Sequence, residues 1–159
     1  MKVSQSAART PLTRATLDTL VSATLTIESS GPGFIDLTDE IDAFLDDASA
    51  TEGLVTMFCR HTSASLTIQE NADPLVLADL MTTLDRLAPQ NAGWRHRTEG
   101  PDDMPAHIKT MLTTTALQIP VSKGRLALGQ WQAIYLIEHR TQPHRREIVM
   151  QFAGVTRQR

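Results

Sequence analysis

Five histidines, a cluster of arginines and one hydroxyl-rich stretch carry the residues of this chain best suited to chemistry. His61 opens that stretch, in which Arg60 to Pro74 read RHTSASLTIQENADP. Thr62, Ser63 and Ser65 place small hydroxyls beside the imidazole, and Glu70 adds a carboxylate. His96 lies in a polar run, His107 stands at the start of a helical pattern, and His139 and His144 flank Arg140. Imidazole is both a frequent metal ligand and the proton carrier closest to neutral pH. No pair has the HExxH spacing of a zinc helix, so spacing alone leaves these side chains open between ligands and ordinary hydrogen-bonded histidines. Each of His61, His96 and His107 nevertheless has a neighbour able to orient it: Thr62 and Ser63, Glu99, and Asp102 with Asp103. Glu70 reads either as a ligand or general base, or as a solvated or helix-capping glutamate.

Anion chemistry is suggested by a second group. Arg140, Arg145 and Arg146 surround His144, and guanidinium forks match phosphate oxygens in a bidentate way. The competing reading is a solvated turn whose arginines pair surface carboxylates. On the preceding strand Glu138 and Arg140 share one face and His139 the other, so Glu138 and Arg140 are expected to point into one pocket. Lys109 is a further candidate for an anionic ligand. Ser63 and Ser65 lack a nucleophile elbow and suit phosphate hydrogen bonding better than attack. Cys59 shares a strand face with His61, but Met57 on that face extends an apolar stripe, which favours a buried, inert thiol.

The elements that must position these groups read as one α+β domain. Strands are expected over Leu17–Ile27, Leu54–Arg60, Leu117–Val121, Arg125–Leu128, Trp131–Glu138 and Glu147–Ala153. Thr38 is a candidate cap for a short acidic helix whose Ile41, Phe44 and Leu45 face a core. Asn71 and Asp73 precede Pro74, and Leu77, Leu80, Met81, Leu84 and Leu87 recur at the helical period. Pro89 to Asp103 reads as a long polar loop, and Pro105 opens a helix to about Thr115. Residues 1–15, acid-poor and faintly transit-peptide-like, read as a flexible lead-in to a single domain over 16–159.

Composition bounds the function. With 159 residues the chain is long enough to bury a core without disulfides. A net charge of -3 argues against non-specific nucleic-acid binding, which needs basic residues in excess. One cysteine makes no intrachain disulfide and fits a reducing cytoplasm, and no stretch reads as a membrane span.

Four motifs in order, His61 to Pro74, EGPDDMPAHIK from Glu99 to Lys109, LGQWQ from Leu128 to Gln132, and Glu138-His-Arg140, resemble the YjbQ family, also called the secondary thiamine-phosphate synthase family. The likeness runs from about Thr16 to Gly154. Gln130 departs from the usual Gly-Thr-Trp-Gln, and Gln142-Pro-His-Arg replaces a turn where relatives often carry glycines. The resemblance implies a compact α+β fold, a homotrimer, and His61, His96 and His107 close together around a divalent metal, zinc or magnesium. It also implies weak thiamine-phosphate synthase activity, a transfer joining a pyrimidine diphosphate to a thiazole phosphate with release of pyrophosphate. On that reading His61, Glu70, His107 and Glu138 are catalytic, and Thr62, Ser63, Ser65, Lys109, Arg140 and Arg146 hold a small phosphorylated metabolite. The alternatives are a metal-dependent hydrolase of a phosphorylated metabolite and a non-catalytic trimeric anion-binding module. No nucleic-acid or membrane partner is expected.

Overall fold

The computed structural model describes residues 10–157. Of the expected lead-in, residues 1–9 lie outside the described residues and residues 10–15 carry no helix or strand; the first strand begins at Thr19 rather than Leu17. The element order is β1 (Thr19–Ser29), β2 (Gly33–Asp36), α1 (Thr38–Asp47), β3 (Ala50–Cys59), β4 (Ala64–Glu70), α2 (Pro74–Leu87), α3 (Asp103–Leu112), β5 (Ala116–Ser122), β6 (Arg125–Leu126), β7 (Gln132–Glu138) and β8 (His144–Thr156). The fold is α+β, and every strand pairing between these elements is antiparallel. A five-stranded sheet runs β1-β8-β3-β5-β6, and a three-stranded sheet runs β2-β7-β4.

Alternation along the strands explains the layering. Val55, Met57 and Cys59 of β3, Ile148, Met150 and Phe152 of β8, and Leu66, Ile134 and Leu136 of the small sheet join one core with Ile41, Phe44 and Leu45 of α1. Each fully buried aliphatic side chain there contributes roughly 1.5–3 kcal/mol of transfer free energy. Strands β3 and β8 approach so closely where Gly53 faces Gly154 that a Cβ on Gly154 would overlap the Glu52 carbonyl oxygen. The other face of the small sheet meets α2 and α3 through β4.

Three local expectations are corrected. Thr38 does not cap α1. The N-cap residue is Leu37, which makes no side-chain cap bond; Asp36 accepts from the Thr38 N–H at 2.8 Å, while the Thr38 hydroxyl accepts from the Ile134 N–H. Helix α2 begins as expected, with Asp73 accepting from the Leu75 N–H at 2.9 Å. Its apolar stripe is only half covered: no α2 side chain is buried, and Leu75 and Leu87 remain exposed. The His61 stretch contains a further strand, β4, whose seven residues run antiparallel to β7. Its mixture of hydroxyl and apolar residues hides the period-two pattern, because both faces of the small sheet are covered.

Candidate functional site

The site grows from the N-terminus of α3. Asp102 occupies the N-cap position but makes no side-chain cap bond, because its carboxylate turns toward the segment after β7. There it accepts from Arg140 Nε at 3.1 Å, from the Thr141 N–H at 2.8 Å and from the Thr141 hydroxyl at 3.0 Å. Burial alone pushes the Asp102 carboxyl up, but these donors outweigh it and hold the pKa below the usual aspartate value of 3.8. Asp103, also buried, accepts from Arg140 Nη1 at 2.5 Å through Oδ1. The third Arg140 nitrogen donates to the Glu99 carbonyl oxygen at 2.6 Å, tying the long loop to the same guanidinium. Gly100, at φ 113, lets that loop turn into the helix.

This clamp leaves the buried Asp103 Oδ2 beside two histidines. It lies 2.7 Å from His96 Nε2 and 3.4 Å from His107 Nε2, yet receives no well-directed hydrogen bond from either. One ligating atom from each of His96, Asp103 and His107 lies within 4.8 Å of the others. The tautomer of His107 makes the arrangement informative. Its Nδ1 is 2.9 Å from the Thr62 carbonyl oxygen, an acceptor only, so Nδ1 carries a proton, and in the neutral tautomer Nε2 presents a lone pair. A lone pair and a buried carboxylate oxygen then face one another, an arrangement that a cation relieves. Two imidazoles and a carboxylate, oriented by a backbone carbonyl and by Arg140, form a ligand set that fits zinc better than magnesium, which prefers oxygen.

Of the three histidines expected together, His96 and His107 converge, with ring centroids 5.6 Å apart. His61 is replaced in the group by Asp103. Its Nε2 accepts from the Glu147 N–H at 2.8 Å, so that nitrogen is already engaged. Burial first, and then the positive charge of Arg146, lower the His61 pKa from the usual 6.5. Asp103 and His107 are one helical turn apart, and that i,i+4 spacing is the signal in the sequence that could have found the missing ligand.

The phosphate contacts expected of the basic residues are taken by protein groups instead. Arg146 donates to both Glu138 oxygens, at 2.7 and 2.6 Å, and to Ser63. Glu138 and Arg146 are almost fully buried, and Glu138 also accepts from the Ser29 hydroxyl and the Arg140 N–H. Burial pushes the Glu138 carboxyl up, but those donors outweigh it and leave its pKa below 4.5. Strand β7 ends at Glu138, so Arg140 lies beyond it rather than on a shared strand face; Glu138 closes a buried pair, and Arg140 clamps Asp102 and Asp103. Lys109 is buried against Asp85 at 2.5 Å. Ser65 is fully buried and bonded to His139 Nε2 at 2.9 Å, so it does not face a ligand. Glu70 ends β4 opposite Gln132, whereas Ala64 at the other end pairs Glu138. A strand rise of about 3.3 Å per residue separates the two ends of β4 by roughly 20 Å, too far for Glu70 to join the histidines. Cys59 is buried as expected, and burial raises its thiol pKa.

Two open hollows flank the cluster. One of about 410 Å³ is lined by Trp94, His96, Arg97 and Pro101 among others. The second, of about 430 Å³, is lined by His61, Thr62, His107, Thr110 and Thr113 to Thr115 with Met111. Both fall within the size range of small-ligand sites.

Comparison with known proteins agrees with this architecture. A UPF0047 protein of Synechocystis, sll1880, is 47% identical over 131 residues, covering 82% of this chain and 89% of its own. The UPF0047 protein YjbQ of Escherichia coli O157:H7 is 42% identical over 132 residues, covering 82% and 96%. Among solved structures, the conserved hypothetical protein TT1486 of Thermus thermophilus superposes with a TM-score of 0.72 at 38% identity, covering 80% of this chain and 97% of its own. A YbjQ-like protein of unknown function from Sulfolobus solfataricus shares the fold at TM-score 0.77 and 21% identity, covering 86% and 100%. The family model described as UPF0047 protein YjbQ-like matches residues 23–155, and the chain belongs to that family.

Proposed function

We propose that this chain is a metal-dependent enzyme acting on a small phosphorylated metabolite, with its centre at His96, Asp103 and His107. The observation that carries the reading is the convergence of these three ligating atoms within 4.8 Å, with the His107 lone pair and Asp103 Oδ2 facing each other. A divalent cation bound there supplies Lewis-acid polarisation and charge neutralisation at a phosphoryl oxygen. The chain's own residues do the rest. Arg140 holds Asp103 in orientation, the Thr62 carbonyl fixes the His107 tautomer, and the threonine-lined hollow receives the substrate beside them.

Hydrolysis suits the charges best. Thiamine-phosphate synthesis must stabilise a departing pyrophosphate, and the three cations expected to perform that task, Arg140, Arg146 and Lys109, are paired with carboxylates. Hydrolysis requires only one phosphoryl group at the centre. The synthase remains the second reading, supported by the motifs around His61 and Glu99. We also propose a homotrimer, supported by exposed Leu20, Phe58 and Met111 and by the half-covered α2. Among the described residues no helix is long and apolar enough to cross a membrane. A cytoplasmic location is proposed from the lone buried Cys59.

The test is turnover with zinc restored to chelator-treated protein. Metal-dependent release of inorganic phosphate from a panel of phosphorylated metabolites supports the hydrolase. Pyrophosphate release only when pyrimidine diphosphate and thiazole phosphate are both present supports the synthase. Metabolite binding without turnover would leave an anion-binding module and overturn the enzyme reading.

A further inference from the structure

We propose that His61 is a neutral hydrogen-bond donor which, through Nδ1–H and together with the Thr110 hydroxyl, binds an anionic phosphoryl oxygen in the threonine-lined hollow. The inference deepens the functional reading above by naming which residues hold the substrate's phosphoryl group, and it rests on that reading for the ligand's identity.

The argument begins with a backbone amide. The Glu147 N–H is 2.8 Å from His61 Nε2, and an amide N–H can only donate. Nε2 must therefore hold a lone pair, and in the neutral ring the proton sits on Nδ1. Protonating the ring would set an Nε2–H against the amide hydrogen and break that bond. The surrounding charges are Arg146, Glu147, Glu138 and His144, and the balance of burial and these groups lies on the side of the neutral ring. The same constraint explains why His61 is not a metal ligand. With Nε2 occupied, coordination through Nδ1 would require an imidazolate.

His61 lines the hollow that also receives His107, and Thr62, the next residue, fixes His107 through its carbonyl. Residues 61 and 62 thus put a donor and a metal ligand on the same cavity. Thr110 supplies an independent observation. It is 8% exposed, lines the same hollow, and its Oγ1 has no hydrogen-bond partner among the described residues. A buried hydroxyl without a partner is uncommon and disfavoured. An oxygen anion that accepts from Thr110 Oγ1 and from His61 Nδ1–H satisfies both. Uncharged donors suit this position, because the nearby guanidinium of Arg146 is already neutralised by Glu138.

Nitrogen-resolved NMR of the histidine side chains in the chelator-treated 159-residue chain tests this. His61 is expected as the Nδ1–H tautomer, and inorganic phosphate is expected to shift its Nδ1 resonance. His61→Gln, whose carbonyl can still accept from Glu147 while the Nδ1 donor is lost, should weaken phosphate binding about tenfold, the equivalent of one hydrogen bond to a charged group. Thr110→Val should weaken it similarly. An Nε2–H tautomer overturns the proposal even if a variant fails to fold, and so does saturating phosphate that leaves His61 unmoved. Because the protein is metal-free, either failure leaves the metal centre untouched, and absence of a metal centre leaves the tautomer result standing.

Discussion

Replacing Glu138 by Gln should destabilise the fold more than any change to a surface ion pair. Glu138 is fully buried and its two oxygens take four hydrogen bonds, two from Arg146 at 2.7 and 2.6 Å, one from Ser29 at 2.6 Å and one from the Arg140 N–H at 2.9 Å. Gln keeps the volume, so no cavity opens. It removes the charge that compensates a guanidinium only 3% exposed, and it turns an amide NH2 toward donors. Breaking one side of a buried pair costs about 3–5 kcal/mol, a large part of a total of about 5–15. For a chain of this length that lowers Tm by about 6–20 °C. Urea and thermal unfolding followed by circular dichroism would measure it. Breaking the exposed Arg60–Glu147 pair, 3.2 Å apart, provides the contrast, with an expected loss below about 1 kcal/mol. Glu138→Leu with Arg146→Met should recover most of the stability, since both charges leave together. The pH dependence has a defined sign. The folded Glu138 pKa lies below its ordinary 4.5, so its stabilisation is present above that pH and is lost as the pH falls toward the folded value. Glu138→Gln should lack that acid-sensitive part. A loss below about 1 kcal/mol for Glu138→Gln would refute the buried pair.

His139 should make stability fall between pH 6.5 and about 4, because burial and then Lys109 hold its folded pKa near 4 while the unfolded chain takes up the proton. The slope reaches about 1.4 kcal/mol per pH unit, and an unchanged slope in His139→Gln unfolding curves would count against it. Arg140→Lys keeps the charge but loses the fork on Asp102 and Asp103; zinc affinity by titration calorimetry should fall about 10–100-fold, and wild-type affinity would show that Arg140 does not orient Asp103. Light scattering should return the mass of a trimer at micromolar concentration, and a monomer there would sink the proposed assembly.

Strands β3, β5, β7 and β8 and helix α2 are legible in the sequence because their periodicity is strong and their ends are marked by glycine, proline or Asp73. Strand β4 is not, since its two covered faces blur the alternation. The arginines mislead for a physical reason: a basic cluster looks the same whether its partner is phosphate or a carboxylate distant in sequence. Asp102 lies 38 residues before Arg140, and only folding reveals the pairing. His61 is grouped with His96 and His107 in the sequence because nothing in its stretch discloses that the Glu147 amide takes its Nε2. Asp103 reads there only as a neighbour of His107, although one helical turn separates them.

The central claim is that His96, Asp103 and His107 hold one cation, and titration calorimetry of zinc into chelator-treated protein tests it directly. The account predicts one zinc per chain, affinity reduced at least tenfold in each of His96→Ala, Asp103→Asn and His107→Ala, and His61→Gln binding zinc as the wild type does. Absence of stoichiometric binding by the wild type, or a loss in His61→Gln as large as in the other three, would contradict it.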